Sequence, residues 1–335
     1  MREDDRYLWD KSGTPDPEIE RLETLLAPLG HRGRPLPLPL PARSRRRGLL
    51  VASLALAAVM LAVSLISLRP PSWEVRSLSG APRLEGQPLA GRARIQGGDS
   101  LVTDAGSAAW IAVGKIGVVE LGPDSRLRVI TTRARQHRLA LDRGVLQARI
   151  VAPPREFVVD TPSATAIDLG CVYELEVDGL GQATLSVLVG WVSFEREGRE
   201  TFVPAGARCA TRGHAGVGTP YFTDASAGFK NGLAEVDLAR AGMPVPDAAL
   251  EQVLAEARRE DAFSLWHLLA RMRGADRALV ADRLAALVPM PDGVTREGVL
   301  EGNRAMLDQW WDSLGFGATA DWRRWKGSWP ADSAR

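Results

Sequence analysis

The chain has 335 residues, 45% of them hydrophobic and 25% charged, which is ordinary globular composition and enough length for more than one domain. Its formal net charge is +1 and its arginines are spread along the chain, which argues against a nucleic-acid-binding protein. The sequence contains no G-x-S-x-G, H-E-x-x-H, P-loop or dinucleotide motif. We therefore expect no enzymatic activity, no cofactor and no metal site.

The first 47 residues carry the signals of one short helix. Asp16 is a favourable N-cap, and Pro17 suits the first helical position. Apolar residues then recur at helical spacing until Pro28 and Gly30 end the pattern. The apolar stripe consists of Ile19, Leu22, Leu25, Leu26 and Leu29. The run at 35–41 (PLPLPLP) predicts an extended polyproline spacer.

This amphipathic helix has three interpretations, because a helix of about 12 residues is marginal alone in water. The stripe docks into the groove of a partner protein, with Tyr7 and Trp9 as a second contact. Alternatively, the stripe lies on the inner membrane leaflet, or it belongs to a frayed tail. His31 has no neighbouring histidine or cysteine, so we expect no zinc site here.

Residues 48–68 (GLLVASLALAAVMLAVSLISL) form 21 consecutive positions without a charge, bounded by Gly48 and Leu68. A helix of that length covers a bilayer core of about 30 Å. We therefore predict a single transmembrane helix at 48–68, followed by Trp73 at the depth of the lipid headgroups.

The arginines that flank this span predict its orientation. Six lie in the 16 residues before the span and three in the equivalent stretch after it. Because the basic flank stays in the cytoplasm, we expect a cytoplasmic tail at 1–47 and an external remainder. A cleaved signal peptide is the alternative, but the apolar run is long for one and 47 residues precede it.

The region 73–213 is predicted to be all-β. Alternating apolar and polar residues form short segments separated by turn residues, and no helical period interrupts them, which excludes a parallel α/β fold. A sandwich, a roll and a short solenoid all fit this pattern. The predicted strands are 109–113, 118–121, 127–130, 138–141, 145–150, 156–160, 172–177 and 184–189.

Five motifs in this region, taken in order, resemble the FecR family. They are 97–109 (GGDSLVTDAGSAA), 121–127 (LGPDSRL), 139–146 (LALDRGVL), 157–166 (FVVDTPSATA) and 188–193 (LVGWVS). They are similar to the family's GD-x-L-x-T-x-x-G-S-x-A, L-x-P-x-S-x-L, L-x-L-x-x-G-x-L, F-x-V-x-T-P-x-x-T-A and V-x-x-G-x-V-x-V steps. The resemblance covers less than a third of the chain.

Two segments depart from the family's pattern and indicate a divergent subgroup. Residues 168–173 (DLGCVY) stand where the family has R-G-T-x-F, and 114–117 (GKIG) replace its D-G-S hairpin. The resemblance implies a single-pass regulator of the bacterial inner membrane. Its tail at 1–47 would contact an extracytoplasmic-function sigma factor, and its periplasmic domain would receive a signal from an unidentified periplasmic or outer-membrane partner.

Cys171 and Cys209 are the two cysteines, and both fall in the region predicted to be external. An oxidising compartment favours a disulfide between them. Because 37 residues that look like three strands separate them, the two strands that carry them need not be neighbours. Two buried free thiols are therefore the alternative.

The rest of the chain is predicted to be a linker at 214–245 and a small helical bundle at 246–335. The predicted helices begin near residues 248, 261, 276 and 295. Five of the ten tryptophans lie after residue 309, namely Trp310, Trp311, Trp322, Trp325 and Trp329. Packing of the last helix and tail explains them, as do a sugar-stacking platform and a contact surface.

These features lead to two functional hypotheses. The first is a membrane-anchored regulator that couples a periplasmic signal to a cytoplasmic sigma factor. The second is a non-enzymatic envelope scaffold or polysaccharide-binding protein with an inert cytoplasmic tail.

Overall fold

The strands between residues 72 and 222 form a curled, mainly antiparallel sheet. The computed structural model describes residues 11–12, 14–30, 60, 71–213, 216–239 and 245–316. The strands in these residues are β1 Ser72–Ser79, β2 Arg83–Leu84, β3 Gln87–Pro88, β4 Arg92–Gln96, β5 Ser100–Val102, β6 Ala108–Val113, β7 Gly117–Leu121, β8 Arg126–Arg133, β9 Gln136–Ile150, β10 Phe157–Asp160, β11 Thr165–Asp168, β12 Val172–Val177, β13 Ala183–Val189, β14 Trp191–Arg196, β15 Arg199–Pro204, β16 Ala207–Ala210 and β17 Tyr221–Phe222.

The sheet curls into two faces that share β9. The first face has the order β4-β1-β6-β7-β9-β12-β13-β16-β17. The second has the order β3-β2-β5-β8-β9-β10-β11-β14-β15. Every one of these pairs is antiparallel except β9 with β10. The predicted mainly β class, with helices in the C-terminal part, is confirmed.

Strand β9 differs from the predicted strand pattern, and strands such as β11 and β14 are additional to it. The sequence predicts two strands broken at Asp142-Arg143-Gly144, and the structure has one strand of 15 residues. Residues up to 143 pair with β8, and residues from 144 onward pair with β7 and β12. Gly144 has a φ of 93°, a conformation that glycine tolerates without strain, so the strand bends there and continues into the other face.

The core lies between the two faces and continues under the helices. In β6 each second residue is buried, as alternation in a half-buried strand requires. Large side chains that are fully buried include Ile111, Leu121, Phe157, Tyr173 and Phe194. The buried cluster extends without a break from Trp73 to Trp311, so strands and helices share one core.

Helices follow the strands in the second of two compact units, Leu68–Arg335. Helix α1, Pro17–Leu26, belongs to the first unit, Met1–Ser67, and a 3₁₀ turn at Ala27–Leu29 follows it. The helices of the second unit are α2 Ala227–Leu238, α3 Asp247–Glu256, α4 Ala262–Leu269, α5 Gly274–Leu287, α6 Arg296–Glu301 and α7 Arg304–Ser313.

The segment 214–245, predicted as a linker, contains secondary structure instead. Strand β17 and helix α2 lie within it. Ser226 caps α2 by accepting a hydrogen bond from the backbone N–H of Phe229 at 3.1 Å. A Cβ at Gly232 would come within 2.8 Å of the Val253 side chain, so the missing side chain lets α2 and α3 pack closely.

The helix predicted to begin at Thr295 is two helices in the structure. Thr295 caps α6 through the backbone N–H of Gly298, at 3.2 Å. Gly302 then ends α6 in the left-handed conformation, with a φ of 78°. Asn303 caps α7 by accepting from the N–H groups of Ala305 and Met306. Apolar spacing alone predicts one helix here, but the caps at Gly302 and Asn303 divide it into two.

Among the described residues no helix has the length and apolar character needed to cross a membrane. The span predicted at 48–68 lies outside the described residues, apart from Met60.

Candidate functional site

Helix α1 carries the apolar stripe that the sequence singles out, and its start is built as predicted. Asp16 Oδ1 accepts a hydrogen bond from the backbone N–H of Glu18 at 2.9 Å, and Pro17 occupies the first turn. Glu18 and Glu20 lie in that first turn, where the helix dipole favours negative charge. The cap fixes the helix start, and the Ala27–Leu29 turn ends it.

Within the described residues, most of the apolar stripe of α1 is exposed. Leu22, Leu25, Leu26 and Leu29 are 54%, 68%, 56% and 79% exposed, Ile19 is half-buried, and no residue of α1 is buried. Exposed leucines at this spacing form one continuous apolar strip along the helix. An exposed apolar strip of this kind is typical of amphipathic helices that dock into a groove. Tyr7 and Trp9, predicted as the second contact, lie outside the described residues.

Trp73, predicted to face the lipid headgroups, is buried. It is 3% exposed and packs against the His137 ring at a centroid distance of 5.6 Å. That prediction is wrong for a physical reason: the alternation of β1 turns Trp73 and Val75 toward the core.

The C-terminal tryptophans that the structure describes are packing residues. Trp310 and Trp311 are 0% and 1% exposed. Trp311 contacts the rings of Trp266 and Trp191 at centroid distances of 4.7 and 6.4 Å, joining α7 to α4 and β14. Neither Trp310 nor Trp311 offers a face to a sugar. Trp322, Trp325 and Trp329 lie outside the described residues.

Cys171 and Cys209 are free and buried in the structure. This agrees with the alternative of two buried free thiols and not with a disulfide. Cys209 lies in β16, and Cys171 immediately precedes β12. Strand β13 pairs with both β12 and β16 and so lies between them. Two strand spacings amount to about 9.5 Å, whereas bridged cysteines have Cα atoms less than about 7 Å apart.

Residues 168–173, where the sequence departs from the family's pattern, include a buried polar turn. Asp168 accepts from the backbone N–H of Gly170 and from the thiol of Cys171, both at 2.6 Å. Asp168 is 1% exposed, and this burial raises its pKa to about 6. Burial, with the nearby Asp168 carboxylate as a second cause, raises the pKa of the Cys171 thiol well above its usual value. A thiol in this setting is a hydrogen-bond donor and not a nucleophile.

Sequence reasoning did not identify the ion pair that joins the helices to the sheet. Arg271, just after α4, donates to Asp237 of α2 at 3.0 Å. Its guanidinium also donates to the Thr201 hydroxyl of β15 and to the Gly218 carbonyl, at 2.9 and 2.7 Å. The Arg271 and Asp237 side chains are 14% and 7% exposed. No local pattern reveals a pair that is 34 residues apart in sequence.

The described residues offer no arrangement suited to metal binding, because no three metal-ligating side chains cluster there. Surface depressions of about 260 and 420 Å³ lie on the sheet. The first is lined by residues of β9, β12 and β13, and the second by the β8–β9 hairpin and the chain at Pro71.

Comparison with known proteins confirms the resemblance found in the motifs. Residues 99–193, from the end of the β4–β5 turn into β14, match the family model described as FecR protein. The search of curated proteins gives no match.

Among solved structures, two crystal structures of a candidate anti-sigma factor from Parabacteroides distasonis, at 1.65 and 2.50 Å resolution, are similar to this chain. Each has 15% identity and a TM-score of 0.33, over 41% of this chain and 64% of that protein. The chain thus spans less than two thirds of the length of these proteins.

Proposed function

We propose that this chain is a single-pass regulator of the bacterial inner membrane, whose N-terminal tail binds a sigma factor. In this arrangement residues 1–47 are cytoplasmic, residues 48–68 cross the bilayer, and the FecR region at 99–193 is periplasmic. The uncovered leucine stripe of α1 is the observation that carries the sigma-factor contact, because exposed leucines in a helix need a partner surface.

The FecR match supports the assignment to this class of regulator. The charge-free run at 48–68 and its basic flank support the topology. A periplasmic partner would bind one state of the protein more tightly than another, and this difference in affinity would change how the tail holds its sigma factor.

Pull-down with the N-terminal tail tests the contact. Immobilised residues 1–47 are expected to retain an extracytoplasmic-function sigma factor, identified by mass spectrometry. Leu22→Asp and Leu26→Asp each place a charge in the apolar stripe and are expected to reduce retention at least tenfold. Thr24→Asp adds the same charge between them on the polar side and is the matched control.

Two results would contradict the proposal. One is that the tail retains no sigma factor and its deletion changes no transcription. The other is that Thr24→Asp reduces retention as much as Leu22→Asp. The first result favours the envelope scaffold, for which the burial of Trp310 and Trp311 removes two of the five proposed sugar-stacking tryptophans.

The topology has its own test. A protease added to intact spheroplasts is expected to digest the region after residue 69 and to spare residues 1–47. The opposite digestion pattern would overturn the predicted orientation.

A further inference from the structure

We propose that the β8–β9 hairpin tip and the start of β1 form a docking surface for anionic phospholipid headgroups. This headgroup surface consists of Pro71, Arg94, Arg133, Arg135 and Gln136. It rests on the membrane anchoring in the proposed function, and it would set the FecR region in a defined orientation on the membrane.

The hairpin is attached to the point where the chain enters the domain. The hydroxyl of Thr132 in β8 donates a hydrogen bond to the carbonyl of Pro71. Arg94 in β4 donates to the hydroxyl and the carbonyl of Ser72, at 3.0 and 3.2 Å. These bonds hold the hairpin, β4 and the first residues of β1 together.

The predicted span ends at Leu68, three residues before Pro71. Three residues extend at most about 11 Å. If residues 48–68 cross the bilayer as proposed, this short connection keeps Pro71, and the hairpin bonded to it, near the headgroup zone of the outer leaflet.

The side chains of this surface suit an anionic lipid. Arg94, Arg133 and Arg135 are exposed, and Arg133 makes no ion pair within the part of the chain that the structure describes. Arg135 is 84% exposed although its Nε lies 3.1 Å from Glu156. Arginines near a bilayer are attracted to phosphatidylglycerol and similar lipids, and their donors match phosphate oxygens.

The shape and apolar content of the surface also fit a bilayer. A depression of about 420 Å³ lies between the hairpin and Pro71, with Arg133 and Gln136 on its wall. Ile130 beside it is 43% exposed. Basic side chains around an apolar one are the arrangement of a peripheral membrane contact.

The opposite end of the same strand pair supplies matched controls. Arg126 and Arg143 face each other there and are both exposed. Leu180, 85% exposed, lies in the β12–β13 turn, where β12 pairs with the Gly144 end of β9. Arg135 has a φ of 63°, so we replace arginine by asparagine, which adopts this conformation more readily than most residues.

The test places a fluorophore at Ala134→Cys or at Leu180→Cys in the full chain, reconstituted into vesicles with or without phosphatidylglycerol. Lipids that carry a spin label on the headgroup serve as the quencher. We expect quenching at position 134 and not at 180, and a clear increase in that quenching when phosphatidylglycerol is present. Arg133→Asn, which leaves the Arg135–Glu156 pair intact, is expected to lose at least half of it. Arg133→Asn with Arg135→Asn is expected to lose nearly all of it, and Arg126→Asn with Arg143→Asn none.

The outcomes separate this proposal from the anchoring on which it rests. If alkaline carbonate extracts the chain from the vesicles, both the anchoring and the headgroup surface are overturned. If the chain stays anchored and position 134 is not quenched, or is quenched equally in the arginine variants, the headgroup surface alone is overturned. If this surface binds a protein instead of lipid, we expect that second outcome, because the vesicles contain only lipid.

Discussion

Gly144 lies directly against Ser125, so closely that a Cβ at position 144 would come within 2.1 Å of the Ser125 Oγ. The same hydroxyl accepts a hydrogen bond from the backbone N–H of Val145 at 2.9 Å and donates to the Pro123 carbonyl at 2.8 Å. This contact lies at the bend of β9, where the strand passes from one face of the sheet to the other.

Gly144→Ala is therefore expected to destabilise the protein by about 3 kcal/mol or more, because it adds a backbone clash to the strain of a positive φ. Urea denaturation of the purified chain measures the difference. Gly198→Ala is the control: its φ of 79° carries the same strain, but nothing lies within 4 Å of the added Cβ. We expect Gly198→Ala to lower the free energy of unfolding by about 1–2 kcal/mol. Equal losses in the two variants would show that the Ser125 contact has no role.

Asp168 is expected to make stability depend on pH. The unfolded carboxyl has a pKa near 3.8 and burial raises the folded pKa to about 6, so the folded state holds a proton that the unfolded state has lost between these values. Stability is therefore highest below the lower value and falls as the pH rises through this window. Two units of pKa correspond to roughly 3 kcal/mol.

Asp168→Asn removes this titration and keeps an oxygen for the Gly170 N–H. In denaturant titrations, we expect the difference in unfolding free energy between Asp168→Asn and the wild type to rise by roughly 3 kcal/mol from pH 4 to pH 7. The groups that face Asp168, namely Cys171 and Tyr173, stay neutral over this range because burial raises both pKa values. His267, whose pKa burial lowers to about 3, contributes an opposite slope that is common to both proteins. If the difference in unfolding free energy between the two proteins stays constant across this range, the raised pKa of Asp168 is wrong.

Both cysteines are expected to react with an alkylating reagent without prior reduction, once the protein is unfolded. In the folded protein the reaction is expected to be slow, because both thiols are buried and burial raises the pKa of Cys209 to about 12. Intact-mass spectrometry counts the adducts. A requirement for reductant before either thiol reacts would restore the disulfide.

Arg271→Leu is expected to cost about 3–5 kcal/mol of unfolding free energy, because it leaves the Asp237 carboxylate buried without its charged partner. Arg296→Leu is the comparison, since the Arg296–Asp282 pair has a similar geometry at 2.7 Å but its side chains are 46% and 54% exposed. An exposed pair contributes about 0–1 kcal/mol. Calorimetric unfolding distinguishes them, and similar losses would mean that burial of the Arg271 pair adds nothing.

Much of the fold could be predicted from local patterns. Alternation located most of the strands between 109 and 189, although it missed β11 and divided β9 in two, and a cap followed by apolar spacing located α1. The motifs within 97–193 pointed to the FecR family because turn glycines, prolines and strand residues stand in a fixed order along the chain. These features depend on neighbours in sequence, which is why the sequence was sufficient for them.

The candidate site was predicted only in part, for the same reason. The positions of Leu22, Leu25, Leu26 and Leu29 on one helix follow from their spacing, but spacing does not say what covers them. Trp73 was notable for its place after the predicted span, and Trp311 for the concentration of tryptophans after residue 309. Neither observation could say that both side chains face a core.

Local sequence patterns were enough to locate many of the strands and α1, to indicate the FecR family for residues 99–193, and to predict an order of tail, span and external domain. Contacts between distant segments of the folded chain show that β9 crosses both faces, that β13 separates the two cysteines, and that Arg271 joins α2 to the sheet. The physical reason is that hydrogen-bond capping and side-chain alternation act between near neighbours. Strand pairing and burial act between residues that only the folded chain brings together.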